Sequence, residues 1–333
     1  MNVATPVPCS VRLRLAPRAV LVATLAFAAA STALAQLKDN VRTQQGLVAG
    51  RPGTDPSIMV FKGLPFAAPP VGDLRWKAPQ PPASWTGVRQ ADKFGPSPIQ
   101  TITEGRAPWT HEFMAHGAIS EDCLYLNVWT PAKTANDKLP VFVWVYGGGY
   151  SEGSSMIDVY NGEGLAKKGL VFVNLNYRVG PFGFFAHPEL TKESGVNASG
   201  NQGALDAIAA LKWVQANIAA FGGDPSNVTL AGQSAGSGIV HTLVTSPLGK
   251  GLFHKAILQS GPALGTAGAM ATLAAQQASW VAYGEAQGAK TLAELRALPW
   301  QQINPAAATS VGAALPAPAP QTGAATPAAT GRG

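Results

Sequence analysis

Asn227-Val228-Thr229-Leu230-Ala231-Gly232-Gln233-Ser234-Ala235-Gly236-Ser237-Gly238 is the stretch on which the reading of the fold turns. Its apolar run, residues 228–231, predicts a short buried strand. Gly232 to Gly236 then fit the Gly-x-Ser-x-Gly pattern, which bends such a strand abruptly into a helix and lifts the serine hydroxyl clear of the sheet. The two glycines answer a steric need, because side chains two residues either side of a strained serine would collide across so tight a turn. Ser234 is therefore the candidate nucleophile.

Working outward, the same logic recurs. Residues 124–129, 141–146, 170–175 and 256–258 are short apolar runs bounded by breakers and predict strands. Leu205, Ile208, Leu211, Val214 and Ile218 recur every three or four residues, so a helix should run from Gly200 to a stop at Gly222. Another helix should start at Ala235, and two more should cover residues 269–287 and 291–298. Strands alternating with helices predict an α/β architecture, a mainly parallel sheet covered on both faces, with the serine turn at a strand's carboxyl end. Residues 41–66 alternate around Gly50-Arg51-Pro52-Gly53 and predict an antiparallel hairpin. Residues 67–120 predict ordered loop, its Trp76, Trp85 and Trp109 packed onto the core.

The chain has 333 residues, 46% hydrophobic and 13% charged, enough for a substantial core. Residues 1–35 stand apart. Arg12, Arg14 and Arg18 precede an apolar run, residues 19–30, and Ala33-Leu34-Ala35 offers a small-x-small cleavage pattern, which together predict a signal peptide and a secreted or periplasmic product. That run of 12 residues is short of the roughly 20 a bilayer requires, so no membrane span is expected after its removal. Without it the net charge falls from +6 to +3, leaving no basic stripe for a nucleic-acid partner. Cys123 would be the lone thiol of that product; it lies in an apolar stretch and is read as buried and inert. Residues 36–304 form the predicted domain. From Pro305 to Gly333 the chain is Ala, Pro, Thr and Gly with one charge, a composition that predicts a disordered tail.

A short motif needs context, and a second glycine cluster supplies it. Gly147-Gly148-Gly149 directly follows the strand 141–146, the place from which an earlier loop directs backbone N–H groups at a developing oxyanion. Ala235, next after the serine, adds another donor. With these residues in view, Glu121-Asp122-Cys123-Leu124-Tyr125-Leu126-Asn127 and the run from Gly200-Asn201-Gln202-Gly203 through Phe221-Gly222-Gly223-Asp224-Pro225 to the serine motif resemble the two signatures of the type B carboxylesterases. The resemblance covers residues 41–298. It implies the α/β-hydrolase fold, hydrolysis of a small-molecule ester through an acyl-enzyme on Ser234, and an oxyanion hole of Gly148, Gly149 and Ala235. It also implies structural ion pairs, Arg75 with Glu121 and Arg178 with Asp224. No cofactor is implied, and no residue pair has metal-ligand spacing.

Three departures from the family pattern stand out. Gln233 occupies the place of a usual Glu, and Ser97 that of a cysteine that would pair with Cys123. The third concerns the base. In this fold an acid and then a histidine follow the nucleophile, yet after Ser234 the acids are Glu285 and Glu294, with no histidine behind them. His241 lies seven residues up the serine's helix, about 10 Å away at 1.5 Å per residue, and His254 should lie at a strand's amino end. His111, His116 and His187 precede the nucleophile. The expectation is a truncated sequence that lacks the catalytic acid and histidine, and so is inactive or incomplete as written, and that also lacks the last strands of its sheet, with residues 256–258 at an open edge. Two alternatives stay open: a non-catalytic esterase-fold fragment or binding module, and an acyltransferase on the same fold. Oligomeric state is not legible.

Overall fold

In the computed structural model, Met1, residues 40–261 and residues 271–311 are described. All elements below belong to one compact unit. The predicted signal peptide and most of the predicted tail lie outside the described residues.

Ten strands are described: β1 Val41–Arg42, β2 Leu47–Ala49, β3 Arg51–Pro52, β4 Met59–Pro65, β5 Val88–Gln90, β6 Tyr125–Thr130, β7 Leu139–Val145, β8 Val171–Leu175, β9 Gly223–Gln233 and β10 Lys255–Gln259. The α-helices among the described residues are α1 Glu163–Ala166, α2 Gly180–Gly183, α3 Pro188–Glu193, α4 Gln202–Asn217, α5 Ala235–Thr245, α6 Leu273–Ala286, α7 Leu292–Ala297, α8 Trp300–Ile303 and α9 Pro305–Ser310.

Seven strands make the main sheet in the order β10-β9-β7-β8-β6-β4-β3. The four that carry the serine turn, β10, β9, β7 and β8, run parallel, whereas β6, β4 and β3 continue the sheet antiparallel. This is the mixed sheet of the α/β-hydrolase fold, with the expected parallel block confined to the half that holds the site. β8 is buried at every position, as a continuous Val-Phe-Val-Asn-Leu run in the sheet's middle requires. One face is closed by α4 and α5, whose Ile208, Leu211, Val214, Ile239 and Val240 pack on Val143, Val145, Val228 and Leu230. On the other face Trp129 and Phe172 cluster with Ala166, with Phe142 and Trp144 half-buried against them. α4 ends at Asn217 and a 3₁₀ turn, Ile218–Phe221, carries the chain on to Gly222, where the sequence placed the stop and where φ is the left-handed 78° that an L side chain resists.

Four expectations are corrected. The hairpin expected about residues 50–53 is two separate ones, β1 with β2 and β3 with β4, and β2 pairs in parallel with β5 to form a small second sheet. Alternation marks strands but does not choose their partners. Trp76 is buried, but Trp109 is exposed. Arg178 pairs not with Asp224 but with Asp206 of α4, through Nε–Oδ2 at 2.8 Å and Nη2–Oδ1 at 2.7 Å, both side chains buried; Asp224 instead accepts from Ser226 at 2.6 Å. Finally, the segment expected to be disordered from residue 305 begins with α9. Asn304 caps it by accepting from Ala307 N at 3.1 Å, Ala307 is fully buried, and Ser310 Oγ accepts from Ile102 N at 2.8 Å.

The other implied pair is present. Arg75 grips Glu121 with two bonds of 2.6 Å and donates its remaining Nη1 to the carbonyls of Arg296 and Leu298, fastening the end of α7 to the early loop.

Candidate active site

Ser234 stands between the end of β9 and the start of α5 with φ 55° and ψ −123°, a conformation unusual for a residue with a Cβ. The structure holds it there by close packing on both flanks. A Cβ on Gly232 would come within 2.6 Å of the Gly236 carbonyl carbon, and one on Gly236 would overlap the carbonyl oxygens of Val145 and Tyr146. Ser234 N donates to Gln259 O at 2.8 Å, so the strained turn is also tied to the end of β10. The expectation drawn from the glycine spacing thus describes the backbone at this point.

The second glycine cluster reaches the same place by a different route. β7 lies beside β9 with Val145 opposite Gly232, so the residues that follow each strand emerge together at the sheet's carboxyl end. Gly147 touches the serine: a Cβ there would lie 3.0 Å from Ser234 Cβ and 2.8 Å from both the backbone oxygen and the Oε1 of Gln233. Gly148 and Gly149 have φ of 120° and 60°, turning the chain back on itself. Gly148 O accepts from Ser151 and Glu152, each at 3.1 Å. Among the described residues, no hydrogen bond occupies the N–H of Gly148, Gly149 or Ala235. One strained hydroxyl with uncommitted N–H groups beside it is an arrangement suited to stabilising negative charge on a carbonyl oxygen.

These groups open on a cleft of about 600 Å³ whose wall includes Arg106, Trp109, Phe113, Trp144, Ile157 and Tyr160. Its aromatic side chains are Trp109, Phe113, Trp144 and Tyr160, beside glycines and polar groups, with one ion pair, Arg106 with Glu152, at partly exposed positions. Burial raises the Tyr160 phenol above its ordinary value, offset in part by the backbone N–H of Gly147. Sequence reading missed these wall residues. Exposed Trp109 and Phe113 in an irregular loop carry no periodicity, and the half-buried Trp144 in an otherwise apolar strand reads as core.

The histidines are placed elsewhere. His254 is bound to β9 near its middle, donating from its backbone N to Val228 O at 2.8 Å and accepting from Val228 N at Nδ1 at 3.2 Å. His187 caps α3, accepting from Glu189 N at 3.3 Å, and burial lowers its pKa. His111 and His116 stack on each other at 5.2 Å. His241 lies two turns along α5, its Nδ1 buried with no partner among the described residues. Glu294 closes a capping box with Thr291. Among the described residues none of these groups hydrogen-bonds Ser234. Cys123 is buried and unpaired, and burial, followed by the charge of Asp206, holds its thiol well above the ordinary value. No group of His, Cys, Asp and Glu able to hold a metal ion occurs among the described residues, and no helix there is long and apolar enough to cross a membrane.

The family model described as the carboxylesterase family matches residues 38–324, which is most of the chain. The chain belongs to the carboxylesterase family. Among curated proteins it is 49% identical over 245 residues to fumonisin B1 esterase of Sphingopyxis macrogoltabida, covering 73% of this chain and 43% of that one. It is 48% identical over 214 residues to the medium-chain fatty acyl-CoA hydrolase precursor of Anas platyrhynchos, covering 62% and 37%. Among solved structures it is similar to a thermophilic PNB esterase, with a TM-score of 0.70, 39% identity, and coverage of 80% of this chain and 53% of the other. The chain thus spans less than half the length of these curated relatives and about half of the solved one.

Proposed function

We propose that this carboxylesterase-family chain carries the acyl-accepting part of a serine ester-hydrolase site. Ser234 Oγ adds to the carbonyl carbon of a carboxylic ester and, as the carbon–oxygen bond forms, the hydroxyl proton passes to solvent water, from which the departing alkoxide later takes one. The N–H groups of Gly148, Gly149 and Ala235 hold the oxyanion. The alcohol departs with a proton, leaving an acyl-serine that water then hydrolyses to the acid. The observation that carries this reading is the positive φ of Ser234, which faces a glycine loop with uncommitted N–H groups across a strand-to-helix turn.

Because no histidine among the described residues bonds Ser234, the reading favours activated esters. A phenolate-type leaving group needs least help from a general acid and base, whose contribution is typically about 10² to 10⁴ in rate. The aromatic wall of the cleft fits such a group. The names of the relatives, an esterase and a hydrolase, support ester hydrolysis as the reaction class.

Rapid mixing with a p-nitrophenyl ester tests the proposal. The expected result is a burst of p-nitrophenolate approaching one equivalent, matched by one acyl mass on the chain and absent in Ser234→Ala. Saturable ester binding without any burst would instead support a non-catalytic binding module. Acyl transfer to added alcohol in preference to water would support a transferase. We also propose export, on the arginine, apolar run and cleavage pattern of residues 1–35; a mature chain that begins at Gln36 when recovered outside the cytoplasm is the supporting result.

A further inference from the structure

Four buried amide side chains outside the serine turn converge on the segment that returns from the glycine loop. Gln100 is 1% exposed and comes from the irregular early loop. Its Oε1 accepts from Gly153 N at 2.8 Å while its Nε2 donates to Gly153 O at 2.8 Å, a two-bond grip on a single peptide position, with a third bond from Nε2 to Pro98 O at 3.1 Å. Asn176 Oδ1 accepts from Ser155 N at 2.8 Å, and Asn174 Nδ2 donates to the carbonyls of Ser155 at 2.8 Å and Tyr160 at 3.0 Å. Asn127 Nδ2 bonds Asn174 Oδ1 at 2.8 Å and Ser155 Oγ at 3.1 Å. Asn127, Asn174 and Asn176 sit on or beside β6 and β8, so their positions are those of the rigid sheet. Gln100 alone of the four comes from a loop.

The grip on Gly153 is transmitted by contact. A Cβ on Gly153 would lie 2.6 Å from Gly147 O and would overlap the Tyr146 ring, and one on Gly148 would overlap the Glu152 carbonyl. Residues 147–148 and 152–153 are therefore two strips of backbone pressed together with no side chain between them. If Gly153 moves, Gly147 and Gly148 must move with it, and Gly147 is the residue in contact with Ser234.

We infer that Gln100 is a positioning residue for the oxyanion loop: through its two bonds to Gly153 it sets where the Gly148 and Gly149 N–H groups stand relative to Ser234. This rests on the Ser234 reading above for its chemical consequence, though not for its structural one. Gln100 also borders the cleft, so substrate contact is the competing role. The two roles differ in kinetics. A residue that aims the donors affects the step in which charge develops on oxygen, whereas a contact with the ground state affects affinity.

The test uses a fluorophosphonate, which phosphonylates a serine hydroxyl with loss of fluoride and places an oxygen in the oxyanion site. Labelling of the full chain is followed against reagent concentration to separate affinity from the maximal rate. Gln100→Met keeps the volume and loses both bonds; Gln100→Glu keeps the acceptor for Gly153 N. The expected result is a maximal rate lowered by about tenfold to a hundredfold in Gln100→Met, the scale of an ångström-sized misplacement of reacting groups. Apparent affinity stays within about twofold of the parent on that account, because the ground state is little changed. Gln100→Glu should fall between the two. Should Gln100→Met fail to fold, Gln100→Glu alone decides. A maximal rate unchanged in folded variants, or a loss confined to affinity, overturns the inference. If the parent chain itself is not labelled, the Ser234 reading fails. Amide hydrogen exchange over residues 146–154 then decides: faster exchange there in the variants supports the positioning role, and unchanged exchange overturns it.

Discussion

On one side of Ser234 the glycine loop is tied through its return segment to four buried amides, while on the other side β10 forms the outermost strand described, with all five of its residues exposed. The same turn therefore joins two regions of different kinds. The donor side is determined several times over, by backbone strips in contact, by the amides and by the buried Arg178–Asp206 pair that anchors the segment after β8 to α4. The β10 side has the serine's own N–H bond to Gln259 and the packing of α5, and then open surface. The contrast teaches that fixing backbone donors and completing a sheet are separate problems in this fold. The glycine loop is set by β7, β9 and their neighbours, whereas β10 pairs with β9 alone among the described residues.

The largest expected effect tests the donor side. Arg178→Met should destabilise the fold by about 3 to 5 kcal/mol, because it leaves the fully buried Asp206 carboxylate without its counter-charge. Urea unfolding measures this, and a loss under about 1 kcal/mol, the surface-pair range, would break the contrast. Next comes Gly236→Ala, whose added methyl overlaps two carbonyl oxygens across the turn. It should cost about 3 kcal/mol, the upper part of the overpacking range, and the chain should also lose burst amplitude in the ester assay.

The β10 side should respond far less. Ile257 and Leu258 are 40% and 39% exposed, so Ile257→Lys should change stability by no more than about 0.5 kcal/mol. It should nonetheless reduce concentration-dependent association, because a charge on an open strand discourages edge pairing. Light scattering at several concentrations is the measurement. A cost near that of a core position would show that this edge is covered in solution.

The smallest effect serves as a surface control. Hydrogen bonding from Arg296 holds the Glu193 carboxyl below its ordinary value of 4.5. A carboxylate with a depressed folded-state pKa contributes stability that is complete above the unfolded value and fades as pH falls through the folded one. Glu193 is partly exposed, so the contribution should be under about 0.5 kcal/mol after solvent screening. The difference in unfolding midpoint between the parent and Glu193→Gln should accordingly be small at neutral pH and vanish well below pH 4.5.

What could be read in the sequence follows the same division. Ser234, its flanking glycines, Gly147 to Gly149 and the strands that deliver them were legible because their signals are local: a steric turn, an apolar run, a glycine at a helix end. Partners across the fold were less so. Arg178 was assigned to Asp224 through resemblance, while the structure gives it Asp206, which lies on the buried stripe of α4 with Ala210, Trp213 and Asn217. A carboxylate on an apolar stripe was visible as a residue in need of a cation, and that was the available signal. Gln100 offered none, because it sits in a loop without period and grips a glycine 53 positions away. In α9 a local signal was present and was outweighed: Asn304-Pro305 is a cap followed by a proline at the first helical position, set in an alanine-rich composition that reads as disorder.

The central claim is that Ser234 is a nucleophile held against a working oxyanion loop. Its most direct test is exposure of the folded chain to a fluorophosphonate, followed by proteolysis and mass spectrometry of the modified peptide. The account predicts a single phosphonyl adduct, on Ser234 rather than the neighbouring Ser237, that forms faster than the reagent reacts with the unfolded chain. Labelling that is absent, or equally fast after unfolding, or located on another serine, would contradict it.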